Sequence, residues 1–186
     1  GELHFSIGYT EPNSGTDLAS LRTSAVADPG SGDYIINGNK IFTTSAEVAD
    51  YVWLAARTDP DESKRHKGIT IFMVETNQPG YSVSAINTVG GARTNVTYYD
   101  SMRCPESMIA GELNKGWKLI TSQLNHERVG LAAAGINALA LYDRVLTWSR
   151  EKQANGVRPI DVVWVQSTLA QAHNRLDAMR IMNWQA

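Results

Sequence analysis

The sequence predicts an α+β chain: an antiparallel β-sandwich or barrel over residues 1–114, then helices over 115–186. Three observations carry this. Short β-rich runs, punctuated by Gly, Pro and Asn turns, fill the first part. Near position 115 the apolar spacing lengthens to three- and four-residue steps, the period of a helix with one buried face. The 186 residues are 42% hydrophobic and 19% charged, enough apolar material for a real core.

In chain order, the expected strands contain Tyr34-Ile35-Ile36, Tyr51-Val52-Trp53-Leu54, Ile69-Thr70-Ile71-Phe72-Met73-Val74, Tyr81-Ser82-Val83 and Val96-Thr97-Tyr98-Tyr99. Turn residues separate them at Asp28 to Gly32, Asn37-Gly38, Thr58 to Asp61 and Gln78 to Gly80. Asn37-Gly38, between Tyr34-Ile35-Ile36 and Lys40-Ile41-Phe42, predicts a two-residue hairpin. The charged run Asp59 to Lys67 reads as a solvated loop. Beyond Lys115, Leu119, Ile120, Leu124, Leu131, Ala134, Leu139, Leu141 and Val145 predict one buried helix face. Gly156 and Pro159 interrupt it, with Pro159 suited to a first helical turn. Val162, Val165, Leu169, Leu176 and Met179 then mark a second helical face.

Bulk properties exclude several classes of function. A net charge of −2 gives no electrostatic reason to expect nucleic acid or an anionic membrane. The single cysteine, Cys104, precludes an internal disulfide framework and points to a reducing compartment. No apolar run is expected to reach the ~20 residues of a membrane span. His4, His66, His126 and His173 lack metal-ligand spacing, so no metal site is expected. Gly30-Ser31-Gly32 is not followed by the third glycine of a dinucleotide fingerprint, since position 35 is Ile. The chain opens on Gly1 and stops inside a helical pattern, so a longer polypeptide is expected.

Two segments stand out as candidate chemistry. Thr10-Glu11-Pro12-Asn13-Ser14-Gly15-Thr16-Asp17 is either a polar loop able to hold an anionic or heteroaromatic ligand or a surface turn capping the next element at Asp17. Composition alone favours the turn. Asn125-His126-Glu127-Arg128 is a polar cluster inside a helix. Glu127 is either a carboxylate facing a pocket, able to work as a general base, or part of a solvated stripe or a structural pair with an arginine, and the residues alone favour the latter readings. Asn95-Val96-Thr97 matches a glycosylation acceptor, but nothing else implies secretion and the match reads as chance.

Read together, these segments resemble the acyl-CoA dehydrogenase family. The Thr10–Asp17 loop is similar to the family's T-E-P-x-x-G-[ST]-D signature. Tyr34 to Thr44 is similar to its K-x-[WF]-[IT]-[TS] segment. Arg57-Thr58-Asp59-Pro60, Gly68-Ile69-Thr70, Pro79-Gly80-Tyr81, Gly111 to Trp117 and Glu127-Arg128 follow in family order. The resemblance implies the family's middle β-domain and the first helices of its C-terminal four-helix domain, the N-terminal helical domain lying outside this chain.

It further implies FAD as cofactor. Ile7, Tyr9, Thr10, Gly15 and Thr16 would line the isoalloxazine and pyrophosphate, and Phe42, Thr43 and Thr44 would lie along the ring and its N5. Thr16 would also border the acyl-CoA, with Asn125 and Arg128 near the pantetheine. Glu127 takes the base position found in isovaleryl-CoA-type members. Gln166 falls near the residue that reaches the adenine end of FAD in a neighbouring subunit, although Glu151 to Ile160 lacks the family's Phe-Gly.

That departure resembles divergent actinobacterial members acting on sterol side-chain CoA thioesters, and suggests a hetero-oligomer. The implied partners are an acyl-CoA substrate, an electron-transfer flavoprotein and a homo- or hetero-tetramer, in the bacterial cytoplasm. A silent structural subunit and an acyl-CoA oxidase are the alternatives.

Overall fold

The computed structural model describes residues 1–132 and 134–184, with the side chains of all of these but 131, 132 and 134. Eight strands occupy the first part: β1 (Phe5–Gly8), β2 (Ser24–Ala27), β3 (Tyr34–Ile41), β4 (Tyr51–Arg57), β5 (Ile69–Glu75), β6 (Tyr81–Asn87), β7 (Arg93–Cys104) and β8 (Ile109–Ala110). Three helices follow: α1 (Gly116–Ala132), α2 (Ala134–Arg150) and α3 (Val163–Asn183). Two compact units result, Gly1–Thr121 and Ser122–Ala186.

In the first unit the strands form one sheet, ordered β6-β7-β3-β2-β4-β5-β8, with β1 also paired to β4. The sheet is mixed, not purely antiparallel as expected. β1 runs parallel to β4 over Tyr51–Leu54, and β2 joins β4 in parallel at Arg57. Two successive segments thus share one edge of β4, and residues 9–23 loop out of the sheet between them. Antiparallel pairing could not place both segments along that edge in one direction.

β3 and the start of β4 alternate in burial, whereas the end of β4 and β5 from Ile69 to Phe72 are buried on both faces. Ile36, Val52, Leu54, Phe72 and Val74 are fully buried, and Met102 and Cys104 close the cluster from β7. Burying each large aliphatic or aromatic side chain of this kind contributes about 1.5–3 kcal/mol. The charged run between β4 and β5 is exposed, as expected, and forms short 3-10 turns over Glu62–Gly68.

The hairpin expected at Asn37-Gly38 does not form. Both residues lie inside the single strand β3, opposite a bulge in β7 where Asp100 and Ser101 face Asn37 alone. Asn37 Oδ1 accepts the Ser101 N–H at 2.8 Å, filling the gap that the bulge leaves in the ladder. Gly38 is required by close packing: a Cβ there would stand 2.7 Å from Thr23 Cα, and its φ is +145°. The Asn-Gly pair marks a crossing with the segment entering β2, not a reversal.

At its start α1 is welded to the sheet. A Cβ on Gly116 would meet the backbone of Thr70 and Ile71 at 2.9 Å, and Ile120 is fully buried. In the second unit, α2 packs on α3 through Gly135, which faces Met179, and through Tyr142 beside His173. The expected α3 face holds: Val162, Val165, Leu176 and Met179 are partly buried and Leu169 is buried. The first helical face needs correction. Leu141 and Val145 are exposed, because α2 turns Leu139, Tyr142, Leu146 and Ser149 inward instead. Leu131 and Ala134 lie outside the described side chains.

By length and composition alone one helical stretch among the described residues, Gly116–Arg150, could cross a membrane. Alanines, leucines, Val129 and Ile136 raise its apolarity, and its longest uncharged part runs only from 129 to 142, short of the ~20 residues of a span.

Candidate functional site

The pairing of β1 with β4 builds an apolar shelf. In register, Phe5 lies beside Tyr51 and Ile7 beside Trp53, so all four point to one face while Ser6 and Gly8 point into the core. Phe5 and Tyr51 stack with ring centroids 5.2 Å apart. Ile7 is 41% exposed. Large apolar groups left in water side by side mark a contact surface rather than a core.

Two backbone segments edge this shelf. The first is the Thr10–Asp17 loop, whose base is fastened by a buried ion pair. Lys40 Nζ donates to Glu11 Oε1 at 2.8 Å and to the Tyr9 carbonyl at 3.0 Å. The same carboxylate accepts the N–H groups of Arg22 and Thr23 at 2.7 and 2.8 Å. Burial alone would raise the Glu11 carboxyl, but the Lys40 charge and these hydrogen bonds outweigh it and hold Glu11 below its ordinary value. The Lys40 ammonium is pulled down to about 8 by complete burial, against the attraction of Glu11. Both groups therefore remain charged at neutral pH.

From this base the loop rises into solvent. Tyr9 is buried, and its hydroxyl accepts the Trp53 Nε1–H at 3.0 Å. Thr10 is half-buried, its carbonyl accepting the Ile41 N–H at 2.8 Å. Glu11 and Ser14 close a tight turn through mutual backbone bonds, and Gly15 and Thr16 stand exposed at the tip. Arg65 grips Asp17 with one nitrogen at 2.7 and 2.8 Å from its two oxygens.

The second edge is the turn after β3. Phe42 is 61% exposed and sits at φ 62°, and Ser45 sits at φ 61°. Between them Thr43 is buried, bonded through both main-chain groups to Asn95. Thr44 is exposed, and its carbonyl accepts the Ser6 hydroxyl at 3.0 Å, tying the turn to β1. The structure thus gathers Ile7, Tyr9, Thr10, Phe42, Thr43 and Thr44 around one shelf. Thr43 turns its side chain inward, and the buried Tyr9 side chain meets the shelf through its hydroxyl on Trp53.

The remaining predicted residues belong to the second unit. Asn125, Glu127 and Arg128 are exposed on α1, where Arg128 Nη1 donates to Asn125 Oδ1 at 3.1 Å. Glu127, two residues from Asn125, projects from another side of the helix. Its carboxylate meets no charged partner among the described residues. Gln166 is exposed near the start of α3, and its amide donates to the Ile160 carbonyl at 2.8 Å. Among the described residues no three His, Cys, Asp or Glu side chains cluster as metal ligands.

Sequence reasoning missed Trp53, Lys40 and Asn95. Inward alternation from Tyr34 and Ile36 along β3 would have flagged Lys40. Asn95 is fully buried, in keeping with a chance match to the glycosylation motif.

The site's chemistry suits a planar heteroaromatic group with polar edges: an exposed apolar shelf, a projecting phenyl ring, and backbone and hydroxyl groups around the rim. FAD has that character, so the residues present fit the cofactor that the resemblance implies.

Comparison with known proteins identifies the family. Residues 6–102 match the family model for the acyl-CoA dehydrogenase middle domain, and residues 114–186 that for the acyl-CoA dehydrogenase C-terminal domain. The chain is 53% identical over 187 aligned residues to acyl-CoA dehydrogenase FadE29 of Mycobacterium tuberculosis, covering 100% of this chain and 47% of that protein. Among solved structures it resembles the Tcur3481-Tcur3483 steroid ACAD at a TM-score of 0.87 and 51% identity, covering 97% of this chain and 45% of that one. It also resembles the ChsE4-ChsE5 complex from Mycobacterium tuberculosis, at a TM-score of 0.87 and 45% identity, covering 99% and 47%. The chain spans about half the length of the curated relatives it matches.

Proposed function

The chain belongs to the acyl-CoA dehydrogenase family, and from that premise we propose that it is part of an FAD-dependent enzyme introducing an α,β double bond into an acyl-CoA thioester. The observation that carries this is the shelf of Ile7, Trp53 and Phe42, edged by the anchored Thr10–Asp17 loop. When bound there, FAD supplies a two-electron acceptor for the hydride leaving the β-carbon.

The chain's own residues divide the remaining work. Ile7 and Phe42 offer apolar contact to the ring, while Thr10, Gly15, Thr16 and Thr44 offer backbone N–H and hydroxyl groups to its polar edge and the pyrophosphate. Tyr9 and Thr43 hold the two rims in place. Thr16 also borders the thioester, and Asn125 with Arg128 forms a polar pair for the pantetheine. Glu127 takes the α-proton as general base, with its carboxylate free of an internal ion pair. Gln166 serves the adenine end of FAD across a subunit boundary.

The relatives whose names read "steroid ACAD" and "ChsE4-ChsE5 complex" support a steroid-derived acyl-CoA as substrate and a second, different subunit as partner. The linker Glu151 to Ile160, lacking Phe-Gly, supports the same hetero-oligomer. Electrons would pass to an electron-transfer flavoprotein, in the bacterial cytoplasm.

The test uses the full-length protein co-expressed with the partner encoded beside it. Anaerobic addition of a panel of acyl-CoAs should bleach the flavin absorbance, and Glu127→Gln should retain FAD but not bleach. General-base removal of this kind costs on the order of 10²–10⁴ in rate. A protein that stays colourless with its partner would establish a silent structural subunit instead. Rapid reoxidation of the bleached flavin in air would identify an oxidase.

A further inference from the structure

We propose that Asn95 is the positioning residue that sets the Phe42–Thr44 turn against the flavin ring, an inference that rests on the flavin reading above. Asn95 lies on β7, 52 positions from the turn, and holds it twice. Its carbonyl accepts the Thr43 N–H at 3.0 Å, and its Nδ2 donates to the Thr43 carbonyl at 3.0 Å. The same nitrogen donates to a Glu47 carboxylate oxygen, which fixes the amide's rotation. Thr43 and Asn95 are both fully buried.

What the clamp restrains is costly backbone. Phe42 and Ser45, on either side of Thr43, both occupy the left-handed region that non-glycine residues avoid. An extended Phe42 would fall two residues after the buried Lys40, on the inward side of β3. The turn instead keeps a phenyl ring exposed, so a strained backbone is maintained to present an apolar group. Thr44 inherits the same restraint and is pinned to β1 by Ser6. Asn95, hydrogen-bonded to neither exposed residue among the described residues, thereby governs the placement of both.

The polar accounting indicates that an amide is needed here. Asn95 Oδ1 and Thr43 Oγ1 are buried without a hydrogen-bond partner among the described residues. Such atoms are uncommon in native interiors, and an aliphatic pair would avoid their cost. The donor capacity of Asn95 toward Thr43 offsets it. Aspartate, though of the same shape, has no N–H for the Thr43 carbonyl and would set a second carboxylate against Glu47.

Two variants separate positioning from bulk stability. Asn95→Asp removes the donor and adds repulsion; Asn95→Asp with Glu47→Gln removes the repulsion but still leaves the Thr43 carbonyl unserved. In the full-length protein with its partner, both variants should weaken FAD binding about tenfold, as expected for one lost buried hydrogen bond. Both should also broaden the flavin absorption bands and restore flavin fluorescence, while the double variant recovers most of the parental melting temperature. In the FAD-free protein the amides of residues 42–45 should exchange hydrogen about tenfold faster than in the parent. A double variant with parental flavin spectrum, affinity and exchange would overturn the positioning role and leave the flavin reading intact. A parent that takes up no FAD with its partner would overturn both.

Discussion

Lys40→Met tests whether the buried ion pair anchors the loop that edges the shelf. Lys40 is fully buried and Glu11 8% exposed, with nitrogen and oxygen 2.8 Å apart. Removing one member of a buried pair costs about 3–5 kcal/mol, because the other charge is stranded out of water. Here the Glu11 carboxylate keeps the N–H groups of Arg22 and Thr23 at 2.7 and 2.8 Å, which places the electrostatic cost near the lower end, about 3 kcal/mol. The lost bond from Lys40 to the Tyr9 carbonyl adds about 1 kcal/mol. Methionine fills the volume of the lysine stem, so little cavity cost follows. The expected total is about 4 kcal/mol. With a urea slope of ~2 kcal/mol/M, the midpoint of the β-unit should fall by about 2 M. Lys40→Met with Glu11→Gln should recover about half of the loss, since no charge is then stranded. A single variant within about 1 kcal/mol of the parent, or a double variant no better than the single, would refute the assignment.

Further expectations concern neighbouring groups. Glu11 is held below its ordinary value in the folded chain, so it contributes stability that is fully present above the unfolded carboxylate range, about 4.3, and is lost as pH falls through the folded value. Below about pH 4.3 the stability difference between parent and Glu11→Gln, followed by denaturant midpoints, should therefore shrink as Glu11 takes up its proton; a gap that keeps widening there would contradict the pairing. Gly38→Ala forces a Cβ to 2.7 Å from Thr23 Cα at φ +145° and should destabilise by about 3 kcal/mol, measured by melting temperature; a neutral outcome would mean the β2–β3 crossing is loose. The Cys104 thiol is pushed up to about 12 by burial and then by the nearby Asp33 and Glu75 charges, so thiol reagents at pH 8 should modify it only in denaturant.

Much of the fold was legible because its strongest elements obey one rule each. β4 and β5 read as strands because dense apolar runs of strand length admit little else, and α3 showed its face because Val165, Leu169, Leu176 and Met179 recur at helical steps. β1 and β2 were not seen, because Phe5-Ser6-Ile7-Gly8 and Ser24-Ala25-Val26-Ala27 are short and owe their structure to the edge of β4. Leu141 and Val145 were misassigned because period alone cannot tell which of two apolar stripes on α2 meets a neighbour. Asn37-Gly38 satisfied a turn rule locally and was overruled by the bulge in β7.

The candidate site divides along the same line. The Thr10–Asp17 loop is contiguous, so its hydroxyls and glycine could be read together, and Glu11 was in view although its role was not. That role depends on Lys40, whose burial follows from strand alternation, and on Arg22 and Thr23, whose approach follows only from the looped-out course of residues 9–23. Asn95 lies further still from what a sequence displays. Its local pattern reads as a glycosylation acceptor, yet its amide is fully buried and spent on Thr43. The groups proposed to touch the ligand are thus the ones a sequence shows most readily, being exposed and clustered. The groups that hold them are buried polar residues drawn from distant strands, and a residue of that kind acquires its meaning only when the sheet places its partner beside it.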